Sequence, residues 1–152
     1  MTHVRHYRSG DWHRLCVIHD HARMDELQSA GLAEAFLPLT VAAERENLFG
    51  YEILVAEQDG VAVGFVAYGP EELAWIYVAP ECYRKGIGAR LVRAALDAGP
   101  SGLCVEVLLG NEAALSFYKS QGFVGVGLDT GAMPGNVQYA VSVHRLIYGS
   151  DA

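Results

Sequence analysis

Cysteine is scarce in this chain of 152 residues: Cys16, Cys82 and Cys104 stand far apart, with no CxxC pair. That spacing argues against a disulfide framework or a structural zinc site. Long hydrophobic runs are missing as well. No segment approaches the ~18 apolar residues that would cross a bilayer. The opening MTHVRHYRSGDWHRL has no apolar core of signal-peptide length. The expectation is a cytoplasmic protein that spans no membrane. Positive charge is also in deficit. Eleven Lys and Arg face eighteen Asp and Glu, for a formal net charge of -7 and a pI near 5.2. Such a balance argues against a broad nucleic-acid or anionic-membrane surface, yet leaves room for a local basic pocket around one small anion. Internal repeats and low-complexity linkers are absent, so 1–152 is read as one domain. Hydrophobic residues at 51% and charged residues at 19% fit a folded chain with a substantial core.

What is present falls into an order. Residues 3–7 alternate weakly and predict a first strand. Asp11 is placed as an N-cap, with Leu15, Ile18 and Ala22 on one helical face. Residues 24–36 read as a second helix, interrupted by Gly31 and stopped by Pro38, and 40–48 as another turn or two. The runs 51–57 and 61–69 flank Asp59-Gly60 and predict a hairpin. Residues 72–80 form a third strand ended by Pro80. Ile87, Leu91, Ala94, Ala95 and Ala98 recur at helical spacing until Gly99-Pro100. A buried strand at 103–109 follows, then a helix capped by Asn111 and closed by Gly122. FVGVGL and VQYAVSVHRLIY flank the turn MPGN as a second hairpin. Strand, helix, strand over 73–109 predicts a parallel pair with a right-handed crossover. The fold class is α/β (α+β), a mixed central sheet flanked by helices.

Two stretches carry chemistry. In YRKGIGARLV (83–92) a Gly-rich loop opens a helix directly after a strand. The first amides of a helix lack intrahelical partners and sit at the positive end of the dipole. Glycines let an anion approach that backbone, and Arg84 and Lys85 add formal charge. The bland alternative is a Gly-rich helix start on a solvated loop. The stretch is not GxxxxGK[ST], and Leu91 occupies the third glycine position of GxGxxG, so the two commonest nucleotide motifs are excluded. Downstream, GNEAALSFYKSQGF (110–123) sets Asn111, Ala114, Phe117, Tyr118 and Gly122 on a capped helix. Asn111 and Tyr118 lie seven apart, about two turns, and share a face.

Taken together, VAPECYRKGIG and NEAALSFYKSQGF resemble the GNAT acetyltransferase superfamily over roughly residues 50–148. The resemblance implies a fold in which acetyl-CoA lies in a V between the splayed parallel strands 73–79 and 103–109. The backbone of Ile76, Tyr77 and Val78 would bind the acetyl and pantetheine groups. Arg84, Lys85, Gly86, Ile87, Gly88 and Ala89 would wrap the pyrophosphate. Asn111, with Ala114 beside it, would meet the pantetheine arm, and Tyr118 would be the general acid near the thioester sulfur. Glu72 leads the strand where some members hold a general base; Tyr77, His144 and Glu106 are lesser candidates. The implied activity is direct acetyl transfer to a primary amine of a small molecule or peptide, without metal or covalent enzyme intermediate. A CoA-binding module without catalysis is the alternative. One position departs from the family pattern: Tyr83 stands where Gln or Arg is usual, and Arg84 follows where glycine is frequent.

The chemistry agrees with that reading. Amine attack on a thioester needs a neutral amine, a stabilised oxyanion and a protonated thiolate. A positioned acid or base contributes about 10²–10⁴-fold. A backbone N–H at an irregularity in strand 73–79, at Val78, would polarise the carbonyl. His19 and His21 point about 200° apart on a helix and cannot chelate together; solvated or substrate-adjacent roles are expected. Glu44-Arg45-Glu46 reads as a solvated face. Trp75 and Phe65 are assigned to the core or pocket wall. Trp12 and Phe36, within 12–38, and the turn 133–136 are expected to shape the acceptor pocket. The sequence leaves the acceptor and the oligomeric state open, a homodimer included.

Overall fold

The computed structural model describes residues 1–99 and 101–149. The elements are β1 (Thr2–His6), α1 (Trp12–Ser29), α2 (Leu39–Arg45), β2 (Glu52–Gln58), β3 (Val61–Tyr68), β4 (Leu73–Val78), α3 (Ile87–Ala98), β5 (Cys104–Leu108), α4 (Glu112–Ser120), β6 (Phe123–Met133) and β7 (Asn136–Tyr148). Both hairpins lie where their turn residues put them. Asp59 and Gly60 take positive φ at one tip, and Gly135 does so at the other.

The N-terminal helices differ from expectation. Residues 12–29 form one helix rather than two. No glycine or proline occurs between Asp11 and Ala30, so nothing in the backbone interrupts the ladder. Gly31, at φ 73°, follows its end. Asp11 stands at the N-cap position, but its side chain does not cap α1. Both its oxygens accept from the Arg5 guanidinium at 2.9 Å, and Oδ2 also accepts from the Arg8 amide at 2.8 Å. Asp11 therefore ties the chain entering α1 to β1. Asp20 does the capping at α2, where its Oδ1 accepts from the Leu39 amide at 2.9 Å. At the far end of α3 the helix stops at Ala98 before Gly99; Pro100, expected to share in the stop, lies outside the described residues.

The strands form two antiparallel sheets, ordered β1-β2-β3-β4 and β5-β7-β6. They meet where β4 and β5 run parallel, and the junction is one bridge, Glu72 to Cys104, with the Cys104 amide donating to the Glu71 carbonyl at 2.9 Å. Beyond it, β4 and β5 exchange no ladder bonds among the described residues. The sheet therefore opens as a V, as the resemblance implied.

Packing follows from side-chain alternation. Gly64 and Val78 are cross-strand partners, and a β-carbon at Gly64 would meet Leu91 and Ile87. That face receives α3. The other face carries Phe65, fully buried, and its partner Tyr77, with rings 5.9 Å apart; α1 covers it through His19, 4.9 Å from Tyr77 and 5.9 Å from Trp75. Leu15, Ile18, Phe65, Ile87, Leu91, Leu103 and Leu146 belong to this main core. A smaller cluster joins Leu27, Ala35, Leu108, Met133 and Val141, with Phe36 packed against it.

Candidate functional site

The opening between β4 and β5 continues into one cavity of about 1230 Å³, reaching from the start of α3 and the wall of α4 to α1, α2 and the β6–β7 turn. That exceeds the several hundred Å³ of an ordinary small-ligand pocket and has room for an extended molecule.

Register decides which backbone groups of β4 face this cavity. The Ala79 amide donates to Val63 at 2.8 Å, so the pairs in phase with it, Tyr77 with Phe65 and Trp75 with Ala67, are turned toward β3. Ile76 and Val78 lie out of phase, and their N–H and C=O groups point into the V. Tyr77 reaches the cavity with its ring instead. The register slips between Ala67 and Tyr68, whose partners are Trp75 and Leu73, leaving Ala74 as the extra residue of a bulge. The irregularity expected at Val78 is thus at Ala74, beside the bridge where the two sheets part.

The start of α3 presents unpartnered backbone amides to the cavity. Arg84 and Gly86 both adopt the left-handed conformation, at φ 66° and 80°, which turns successive amides toward one side. Helix α3 has no side-chain cap. The first amide to bond back is that of Arg90, to the Gly86 carbonyl at 3.1 Å. The amides of Ile87, Gly88 and Ala89 precede it, with no partner among the described residues. A β-carbon on Gly88 would stand 3.3 Å from the Phe117 ring, while one on Gly86 would meet nothing within 4 Å. Arg84 lines the cavity beside Gly86–Ala89; Lys85 lies on the exposed loop and does not. Tyr83 crosses toward α1, its hydroxyl donating to Asp25 Oδ2 at 3.3 Å. Burial and the Asp25 charge push that phenol up to about 12. The unusual tyrosine thus serves as a tie across the mouth.

The α4 wall carries Tyr118, only 7% exposed. Its ring is held edge-on between Phe117, 5.2 Å away, and Phe123, 5.5 Å away. Burial first, and then the charge of Glu26, drive its pKa upward, so the hydroxyl keeps its proton at neutral pH. Asn111 is committed locally. Its Oδ1 caps the Ala114 amide at 3.3 Å, and its Nδ2 donates to Glu26 Oε2 at 3.4 Å.

The residues that sequence reasoning missed are Arg23, Glu26 and Glu46. Glu26 gathers the cavity floor: Arg23 Nη1 donates to its Oε1 at 2.7 Å, Tyr77 donates to the same oxygen at 3.3 Å, and Asn111 holds the other. Burial outweighs all else at Tyr77 and raises its phenol strongly. Glu46 departs from the solvated face expected for Glu44-Arg45-Glu46. Glu44 and Arg45 are exposed, but Glu46 is half-buried and turned into the cavity. Burial pushes its carboxyl up to about 7, with Arg23 pulling the other way. One signal was available for Glu26. The stripe Leu15, Ile18, Ala22 continues in helical phase to residue 26, and dividing the helix near 24 lost that phase.

Other candidates separate. Glu72 is exposed at the rim and accepts from the Tyr51 hydroxyl at 3.1 Å. Glu106 also lines the cavity, whereas His144 lines a separate small hollow with Leu115 and Lys119. His19 is not solvated but lines the cavity: it is 2% exposed, its Nδ1 lies 2.9 Å from Asp20, and burial lowers its pKa. Trp12 packs on Phe49, and neither it nor Phe36 lines the cavity; from 12–38 the lining comes from Arg23, Asp25, Glu26 and Leu37 among others.

Comparison with known proteins agrees with this architecture. The chain is 40% identical over 70 residues to the peptidyl-lysine N-acetyltransferase YiaC of Escherichia coli (strain K12), covering 45% of this chain and 47% of that one. It is 31% identical over 98 residues to the L-amino acid N-acyltransferase MnaT of the same organism, covering 53% and 55%. It therefore matches about half the length of these curated relatives. The fold superposes on a GCN5-related N-acetyltransferase from Rhodopseudomonas palustris with a TM-score of 0.80 at 21% identity, over 99% of this chain and 96% of that one. Residues 49–125 match the acetyltransferase (GNAT) domain model. With half the chain matched, and with the glycine loop, β4, β5 and all of α4 inside the matched span, this protein belongs to the GNAT acetyltransferase family.

Proposed function

We propose that this protein transfers an acetyl group from acetyl-CoA directly to a primary amine of a small molecule or peptide. The observation that carries the reading is the uncapped start of α3: three amides without partners among the described residues, beneath a glycine loop, at one end of a cavity whose wall carries Tyr118. The donor set fits acetyl-CoA. The amides of Ile87, Gly88 and Ala89, with Arg84, would take the pyrophosphate. The outward backbone groups of Ile76 and Val78 would take the amides of the pantetheine arm, much as a further strand would. Acetyl-CoA supplies an activated acyl carbon and a thiolate leaving group.

The chain's own groups supply the rest. Tyr118, kept protonated by burial, is the proton donor to the departing sulfur. Arg84, Gly86 and the helix start hold negative charge away from the reacting carbon. Asn111 fixes the first turn of α4 and hence the height of Tyr118. The acceptor enters from the side of α1, α2 and the β6–β7 turn, where acidic groups outnumber basic ones: Asp25, Glu26 and Glu46 against Arg23 and Arg45. That excess favours a cationic amine over an anionic acceptor.

Thiol release from acetyl-CoA with a panel of amines tests the activity, and thermal stability with CoA tests the binding. CoA at about 100-fold over its dissociation constant stabilises the fold by about 2.7 kcal/mol. No stabilisation by CoA overturns the reading. Stabilisation without thiol release from any amine favours the binding module instead.

A further inference from the structure

We propose that Glu46 is the carboxylate that receives the acceptor's ammonium group and takes its first proton, an assignment that rests on the acetyl-transfer reading above. The cavity lining contains six carboxylates, Asp25, Glu26, Glu46, Glu71, Glu72 and Glu106, and their surroundings separate them. Asp25 accepts from Tyr83. Glu26 is already bonded to Arg23, Tyr77 and Asn111. Glu71, Glu72 and Glu106 are exposed, and Glu72 accepts from Tyr51. Glu46 is half-buried, and its carboxylate has no hydrogen-bond partner among the described residues. A desolvated carboxylate without a donor is the group that a primary ammonium completes.

Its placement is specific. Glu46 follows the last residue of α2, and Asn47 turns the chain there at φ 54°. From α1, Arg23 faces it; from β4, Tyr77; from the segment after α2, Tyr51. Arg45 beside it donates to the Gly135 carbonyl at 3.0 Å, which brings the β6–β7 turn against the carboxylate. Arg23 holds Glu46 below the basicity that burial alone would give, and Glu26 is pinned by Arg23 at 2.7 Å. The result is one free carboxylate poised near neutrality, which suits a proton acceptor at neutral pH.

The step balances. One proton passes from the acceptor ammonium to Glu46, freeing the nitrogen lone pair. That pair forms the C–N bond to the acetyl carbon as the C–S bond breaks. The sulfur takes a proton from Tyr118, and the second proton on nitrogen restores the Tyr118 hydroxyl. Glu46 then loses its proton to water. Ammonium and thioester become amide, thiol and one released proton.

Glu46→Gln and Glu72→Gln test the assignment, with N-α-acetyl-L-lysinamide and L-leucinamide as acceptors and thiol release followed from about pH 5.5 to about pH 9.5. Acetyl-CoA affinity is measured calorimetrically in parallel. Glu46→Gln is expected to bind acetyl-CoA within about two-fold of wild type. It is expected to lose about 100-fold or more in kcat/KM near pH 7, and to lose the wild-type limb there, rising only as the free amine itself deprotonates. Glu72→Gln is expected to keep the wild-type profile. A wild-type rate and profile in Glu46→Gln overturns the proposal, as does loss of the limb in Glu72→Gln instead. Wild-type protein that binds acetyl-CoA yet releases no thiol with either amine overturns the transfer reading, and this assignment with it.

Discussion

Glu46 and Gly135 are packed so closely that a β-carbon on residue 135 would stand 2.9 Å from Glu46 Oε2. A glycine in the β6–β7 turn is therefore part of the wall around a half-buried carboxylate, and two elements far apart in sequence define one subsite.

Gly135→Ala meets both a positive φ of 74° and that contact. The strain is about 1–3 kcal/mol for a non-glycine residue held there, and Glu46 has to move. The expected outcome is a lowered melting temperature and a raised KM for the amine, with acetyl-CoA affinity unchanged. Steady-state kinetics with each substrate varied in turn separates the two.

Tyr118→Phe keeps the ring packing against Phe117 and Phe123 and removes only the hydroxyl. The expected loss in kcat is about 10²–10⁴-fold, with acetyl-CoA binding retained in calorimetry. An unchanged kcat would remove Tyr118 from the acid role.

Gly88→Val places methyl groups toward Phe117, where even a β-carbon is at 3.3 Å, and over the free amides of α3. Acetyl-CoA affinity is expected to fall about 10-fold or more, the equivalent of about 1.4 kcal/mol. The apparent dissociation constant from thermal shift against coenzyme concentration checks it. Gly86→Ala, with open space but φ 80°, should cost mainly stability.

Glu46 also makes a stability prediction that is independent of activity. Its folded pKa is raised to about 7, above the ordinary value near 4.3. The folded state holds its proton more tightly, so the charged form opposes folding, and stability falls as pH rises between those values. Glu46→Gln carries no such charge. Its melting temperature should exceed that of wild type near pH 8, and this advantage should shrink toward pH 5.

Asp11 has the opposite sign. The Arg5 bond is the largest cause that lowers its folded pKa, so it stabilises the fold above its unfolded pKa, and that contribution is lost as pH falls through the folded value. Asp11→Asn leaves Arg5, 14% exposed, with Glu57 as its remaining carboxylate among the described residues. A loss of about 3 kcal/mol is expected at pH 7, measured by urea unfolding, with the difference narrowing in acid.

Much of this was legible in the sequence because it depends on neighbours along the chain. Asp59-Gly60 and Pro134-Gly135 are turn chemistry, Asn111 caps its own helix, and Gly86 to Gly88 expose amides only a residue or two away. Those local rules placed both hairpins, α3, α4 and the glycine loop. Tertiary structure decided the rest. Arg23 and Glu26 on α1, Glu46 after α2 and Gly135 on the β6–β7 turn share one cavity only after two sheets part at the bridge between Glu72 and Cys104. Whether a charged side chain is a solvated surface group or a desolvated carboxylate near neutrality depends on what packs over it. Residues 89 positions apart, such as 46 and 135, set that environment, and no local pattern along the chain encodes it.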